Sequence, residues 1–340
     1  MKENAIKQIY DLLGDDVSKN IFENRLMYSL TGDMKFIKNV VCTIRKGREI
    51  YGCMKERSEI GIFGAGVVGR HLARVYKDVV FCYFIDNKCS GVICEGIPVV
   101  SLQEFMEKCP EGTIIISTKL YYEEIVDQLL KEGVRKENVI NLGMEYEKLN
   151  HLQYFDLPQL NKKKTKREIF VDGGCYDGNS SVDFMKWCQL GGVEGYCYAW
   201  EPDPENLKKC KQSFEENCVQ YELIPKGLWN ESKKLRLKKN QTCSMICDEG
   251  DTIIEVDYID HVINEPVTFI KMDIEGSEYQ ALQGARNTIE RYRPKLAISI
   301  YHKKEDIWEL PWLIHEMNPQ YTFFLRHYSF ADNDTVLYAL

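Results

Sequence analysis

The stretch Glu168 to Ser181, EIFVDGGCYDGNSS, restricts the fold more than any other part of the chain. Ile169, Phe170 and Val171 form the short apolar run that a central parallel strand needs, and Gly173, Gly174 and Gly178 then turn the chain into a helix. A strand feeding a helix through glycines is the repeating unit of a doubly wound α/β fold, in which ligands lie outside the carboxyl ends of the strands. Asp172 closes the strand at that edge. A carboxylate there repels a dinucleotide pyrophosphate and attracts a ligand carrying an ammonium or sulfonium group.

That preference favours S-adenosylmethionine over NAD, and a second acid agrees with it. Tyr196 to Trp200 (YCYAW) makes another apolar strand ending in Glu201, at the offset where such folds place the carboxylate that binds two ribose hydroxyls. Charge-assisted bonds of this kind contribute roughly 1.5 to 3 kcal/mol each. Asp203 follows at the start of the next helix and is grouped with the cofactor-binding residues.

The 340 residues suit two domains, each large enough to bury a core. A net charge of -8 argues against general nucleic-acid binding. No apolar stretch approaches the length of a membrane span, and Met1-Lys2-Glu3-Asn4 leads into an amphipathic helix, so a cytoplasmic protein is expected. The 13 cysteines are scattered as small buried hydrophobes, as at Cys82, Cys197 and Cys210. The closest pair, Cys243 and Cys247, lacks a second ligand pair, so neither a structural metal nor a disulfide framework is expected.

In chain order, residues 1–57 read as helical, with Ile6, Ile9, Tyr10 and Leu13 on one face and Ile21, Phe22, Leu26 and Tyr28 on another. Gly14 and Thr31-Gly32-Asp33 separate the helices, and the region is expected to pack on a neighbour or to form a homodimer contact. Residues 58–150 read as a Rossmann-like domain: a strand, then Gly64, Gly66 and Gly69 in GxGxxG spacing, a helix, and the strand Val79 to Ile85 ending in Asp86. These residues suit a second nucleotide, although the same glycines are needed simply to turn the chain. Residues 151–167, with Pro158 and the basic run Lys162 to Arg167, read as a solvated linker.

Residues 168–340 form the second α/β domain. Strands are expected over Leu223 to Trp229, Lys234 to Leu237, Thr268 to Met272 and Leu296 to Tyr301, with helices over Glu278 to Tyr292 and Trp308 to Met317. Tyr321 to Arg326 and Thr335 to Leu340, joined by the polar turn Asp332-Asn333-Asp334, are expected to pair antiparallel. A parallel sheet closed by an antiparallel hairpin is the outline of a class I methyltransferase.

The segment FIKMDIEGSEYQALQGA (Phe269 to Ala285), downstream of VDGGCYDGNSS and YAWEPDPENL, resembles the FkbM family of S-adenosylmethionine-dependent methyltransferases. The likeness runs over nearly all of residues 168–340 and is most specific at KMDIEGSE. Gly173, Cys175 and Tyr176 depart from the commoner DVGANxG wording. The resemblance implies O-methylation of a hydroxyl on a sugar, a polysaccharide precursor or a related natural product. It implies that Asp172, Gly174 and Gly178 hold the methionine end of the cofactor, Glu201 the ribose, and that Asp273 and Glu275 lie beside the reacting groups. His302 follows the strand neighbouring Asp273 and is expected to serve as the neutral base; a metal bridging Asp273, Glu275 and His302 stays an alternative, although hydroxyl methylation does not require one. Two other readings stay open: an NAD(P)- or sugar-nucleotide-binding protein working through the amino-terminal GxGxxG, and a scaffold without cofactor.

Overall fold

The computed structural model describes residues 3–118, 121–239, 244–246 and 250–340, so Cys243 and Cys247 lie outside the described residues. Two compact units form, one from Asn20–Leu152 with His327–Asp334, the other from Met1–Lys19, Gln153–Arg326 and Thr335–Leu340.

The first unit is built on a mainly parallel sheet: β1 (Ile60–Phe63), β2 (Phe81–Ile85), β3 (Ile93–Cys94), β4 (Ile97–Val100), β5 (Thr113–Ile116) and β6 (Val139–Asn141). The order is β3-β4-β2-β1-β5-β6, with β3 alone antiparallel. β1 and β5 are near-continuous apolar runs because helices cover both faces. Gly32, at φ +69°, ends the helix Asp16–Thr31, and the Asp33 side chain caps the next helix by accepting from the Lys35 N–H at 3.0 Å. Ile37, Val41, Ile50 and Met54 of the helices Met34–Val41 and Arg45–Lys55 join Ile60, Ile62 and Leu72 in one core. The apolar faces of these helices are therefore spent inside the chain.

The second unit holds β7 (Arg167–Gly173), β8 (Glu194–Trp200), β9 (Tyr221–Ile224), β10 (Gly227–Leu228), β11 (Lys233–Lys239), β12 (Ser244–Ile246), β13 (Thr252–Asp257), β14 (Phe269–Met272), β15 (Lys295–Ser299), β16 (Phe323–His327) and β17 (Thr335–Ala339). Seven of them form a sheet in the order β9-β8-β7-β14-β15-β17-β16. β9 through β15 run parallel in it, and β17 is antiparallel to β15. Thr322 and Leu340 exchange both backbone bonds, at 2.8 and 3.0 Å, which makes β16 and β17 an antiparallel pair. Beneath β7, Phe170 stacks on Phe184 with ring centroids 4.5 Å apart, and Phe155, Trp187 and Phe269 close around them. The amino-terminal helix Glu3–Asp11 belongs to this unit, with Ile9 fully buried.

Five expectations need correction. Residues 151–167 are not a solvated linker: Tyr154, Phe155, Leu157 and Leu160 are buried, Pro158–Lys162 is a short helix, and Arg167 already belongs to β7. Leu223 to Trp229 is not one strand: Pro225, which has no N–H to donate, separates β9 in the main sheet from β10, which pairs with β13. β10-β13-β11-β12 is a second, small sheet. The helix expected over Glu278 to Tyr292 breaks in two at Gly284, where a Cβ would lie 2.2 Å from the Trp229 carbonyl oxygen. The closing turn is longer than three residues, running from Tyr328 to Asp334 with Ser329 and Phe330 fully buried. The cysteines are not uniformly buried either: Cys175, Cys188, Cys197 and Cys210 are, while Cys89 and Cys218 are exposed and Cys82 is half-buried.

Candidate active site

β7 lies at the topological switch point of the main sheet. The chain leaves it outward to β8 and β9 and returns on its other side as β14, so a crevice opens at the carboxyl ends of β7 and β14. These strands pair in register, Asp172 with Lys271 and Gly173 with Met272.

Asp172 is fully enclosed. One carboxylate oxygen accepts from Ser180 Oγ at 2.6 Å and Ser181 Oγ at 2.7 Å, and the other forms an ion pair with Lys271 Nζ at 3.0 Å. Lys271 also donates to the carbonyls of Gly173 and Gly174, at 3.1 and 2.7 Å. Burial alone would lower its pKa, but the charges of Asp172 and Asp273 outweigh burial and hold it above the usual value. The lone ligand-facing charge expected of Asp172 is thus offset, because a buried carboxylate persists only with a partner. Through Ser180 and Ser181 it fastens the first turn of the helix Asn179–Leu190, while Lys271 holds the glycine turn. A lysine inside the apolar run Phe269–Met272 was the one sequence signal of this pairing.

The turn itself requires glycine. Gly174 has φ +74°, and a Cβ there would sit 2.1 Å from the Asp273 carbonyl oxygen, so the ends of β7 and β14 touch backbone to backbone. Gly178, at φ +85°, starts the helix, and a Cβ there would strike the Phe214 ring at 2.6 Å. Gly173 abuts Leu228.

Glu201, at the end of β8, is 6% exposed. Its two oxygens accept from the Tyr176 N–H at 3.1 Å and the Asp203 N–H at 2.9 Å, and burial raises its pKa. The Asn206 side chain hydrogen-bonds the carboxylate as well, and of its roughly four acceptor positions one stays open to a hydroxyl. Asp203 caps the helix Pro204–Glu216, accepting from the backbone of Glu205 and Asn206 at 2.8 and 3.3 Å.

Beyond β14 the chain turns through Glu275, at φ +54°, and Gly276, at φ +91°. Asp273 accepts from Tyr154 Oη at 2.9 Å and Tyr301 Oη at 3.1 Å. His302, 9% exposed, lies between carboxylates: Nε2 is 3.4 Å from Asp273 and 3.5 Å from Glu275, and Nδ1 is 3.0 Å from Glu278. Burial would lower the His302 pKa, but Glu278, Asp273 and Glu275 outweigh it and raise it to about 10. Burial likewise pushes Asp273 up, and the charges of His302 and Lys271 overcome it, leaving the carboxyl below its usual value. The expectation of a neutral imidazole base is therefore corrected, since three surrounding carboxylates keep the ring charged at neutral pH. Tyr154 and Glu278 were missed by sequence reasoning. Tyr154 sits more than 100 residues before Asp273 with no motif around it, whereas Glu278 was visible in the same DIEGSE segment.

In the other unit, Gly64 has φ +103° and Gly69 packs against it, a Cβ on Gly69 falling 2.1 Å from the Gly64 carbonyl oxygen. Gly66 opens the helix Val67–Val75. Asp86 accepts from the backbone N–H groups of Ala65 at 3.3 Å and Lys88 at 3.0 Å. Each Asp86 oxygen thus holds one backbone bond, as each Glu201 oxygen does.

Residues 172–331 match the family described as the methyltransferase FkbM domain. Among solved structures, methyltransferase FkbM from Methylobacillus flagellatus KT is 20% identical with a TM-score of 0.53, over 86% of this chain and 93% of that one. A putative rRNA-methylase from Clostridium thermocellum is 13% identical (TM-score 0.36; 58% and 93% of the two chains). A SAM-dependent methyltransferase from Aquifex aeolicus is 16% identical (TM-score 0.33; 58% and 96%). No curated protein matches the chain. No helix among the described residues is long and apolar enough to cross a membrane.

Proposed function

We propose, from the premise that this chain carries an FkbM methyltransferase domain over residues 172–331 and is an S-adenosylmethionine-dependent methyltransferase, that it methylates a hydroxyl of a saccharide, a polysaccharide precursor or a related natural product. When bound, the cofactor supplies a methyl group already activated by its sulfonium. The chain supplies position and proton management. Glu201 accepts from a ribose hydroxyl, and Gly173, Gly174 and Gly178 line the methionine end, with Lys271, paired to Asp172, holding the Gly173 and Gly174 carbonyls.

The observation that carries a hydroxyl acceptor is the polar wall at the end of β14, where Asp273, Glu275, His302 and the Tyr154 and Tyr301 hydroxyls converge. An acceptor oxygen becomes strongly acidic as it bonds to carbon, so a carboxylate of low basicity suffices to take its proton late in the transfer. Asp273 has that role, Glu275 lies beside it, and charged His302 orients the pair. Holding acceptor and methyl in line is the larger contribution.

Incubating the full chain with methyl-labelled S-adenosylmethionine and separate pools of nucleotide sugars, oligosaccharides, RNA and phenolic acids tests the reading. Label should enter the saccharide pools as an ether that survives mild alkali. Label confined to RNA, or released by alkali as an ester is, would sink it.

A further inference from the structure

The cluster beside β14 has a second feature that methyl transfer does not account for. Asp273, Glu278 and His302 each bring one potential ligand atom to within 4.8 Å of the other two. Atoms that share one cation at bonds of about 2.0 to 2.3 Å lie no farther apart than roughly this. Glu278 is 1% exposed, and while one of its oxygens accepts from the Ile274 N–H at 2.9 Å, the other is buried with no hydrogen-bond partner. The His302 ring nitrogens face Glu278, Asp273 and Glu275 at 3.0 to 3.5 Å, so the ring already stands where a cation would sit among these carboxylates, and the unpartnered atom is the second Glu278 oxygen. Buried polar atoms without partners are rare, because each forfeits its hydration.

We propose that Asp273, Glu278 and His302 form a binding site for one divalent first-row cation of the Mn²⁺ type. The donor set selects the metal class: two carboxylates and one imidazole suit Mn²⁺ or Zn²⁺ better than Mg²⁺ or Ca²⁺, which take oxygen ligands, and no thiolate is present to favour softer ions. The charge also balances. Glu275, 3.5 Å from the ring, is the third carboxylate, and when an incoming cation displaces the proton of the charged ring, three negative charges remain to balance a cation of charge two. Tyr154 and Tyr301 hold the Asp273 carboxylate from outside, as supporting groups orient metal ligands elsewhere. A cation here would acidify an acceptor hydroxyl bound to it, a role that rests on the methyl-transfer reading, whereas cation binding itself does not.

The test uses the full chain freed of metal by chelator and gel filtration, then titrated with MnCl₂ while the electron paramagnetic resonance signal of free Mn²⁺ is followed. One Mn²⁺ per chain should be taken up and displaced by Zn²⁺, and the E278Q and H302Q variants should each weaken binding at least tenfold. Pulsed measurement on the wild-type complex should show nitrogen coupling from an imidazole, which needs no variant to fold. Wild-type protein that binds S-adenosylmethionine by calorimetry but takes up neither Mn²⁺ nor Zn²⁺ would overturn the site and leave the cluster as an ion-paired imidazolium. Bound Mn²⁺ without nitrogen coupling, or with unchanged affinity in folded variants, would overturn it too. Mn²⁺ uptake by a chain with no affinity for S-adenosylmethionine would support the site and count against the proposed function alone.

Discussion

Individual side chains in the crevice are held by more bonds than their residue types require. Glu201 shows this most clearly, its carboxylate aimed by two backbone N–H groups before any ligand arrives. Preorganisation of that kind lets a charge-assisted bond contribute its full strength, since little reorganisation opposes it. Glu201→Ala should weaken S-adenosylmethionine binding about ten- to a hundredfold, as expected for the loss of one such bond. Calorimetric titration of the folded variant measures it, and an affinity equal to the wild type's would remove Glu201 from the cofactor site.

Among the elements, β7 carries the most. It is buried along its length except at Arg167, it flanks both the glycine turn and β14, and its Phe170 sits at the centre of the aromatic core. Deleting a fully buried phenylalanine removes its transfer free energy and leaves a cavity that rigid neighbours cannot fill. Phe170→Ala should therefore cost about 3 to 5 kcal/mol of stability. All five tryptophans lie in the unit that contains β7, so denaturant unfolding followed by tryptophan fluorescence reads that unit selectively. A loss well below 1 kcal/mol would show that the core re-forms around the gap.

For the molecule as a whole, each unit answers to acid through its own groups, and in the unit holding β1 to β6 these include His327 and Asp332. His327 is 4% exposed and shares a bond with the Ala331 carbonyl oxygen at 3.0 Å. Burial, then the nearby Arg25 charge, lowers its pKa to about 3 despite Asp332 and the backbone bonds. Asp332 is raised by burial, but the bond to His71, 3.2 Å away, and the charges of His71 and Arg25 overcome this and bring it to about 2. Both folded values lie below the ordinary ones, 6.5 for histidine and 3.8 for aspartate. As pH falls below about 6.5 the unfolded chain takes up a proton that folded His327 refuses, and below about 3.8 the same applies to Asp332. The stability that these two groups contribute is thus full above pH 6.5 and declines on acidification, by up to about tenfold in the folding equilibrium per pH unit per group. Hydrogen exchange at the β1 and β5 amides should show that decline, and His327→Gln should flatten it between pH 6 and 4. An unaltered profile in the variant would mean that other groups govern it.

The sequence by itself determined the two α/β units, the strand-turn-helix at Asp172, the acid ending β8 and the DIEGSE segment after β14, because apolar runs, glycine spacing and strand-end acids are local features. Periodicity could not show that Pro225 would pass the chain from one sheet to another, nor that Gly284 would break a helix against a carbonyl, since both depend on backbone approaching from a distant segment. Charge is likewise a property of surroundings. Asp172 read as a lone acid until Lys271 faced it from the neighbouring strand, and His302 read as a base until Asp273, Glu275 and Glu278 enclosed it. Only the tertiary structure decided those two, because a pKa answers to burial and to charges within a few ångströms, and the chain order gives neither.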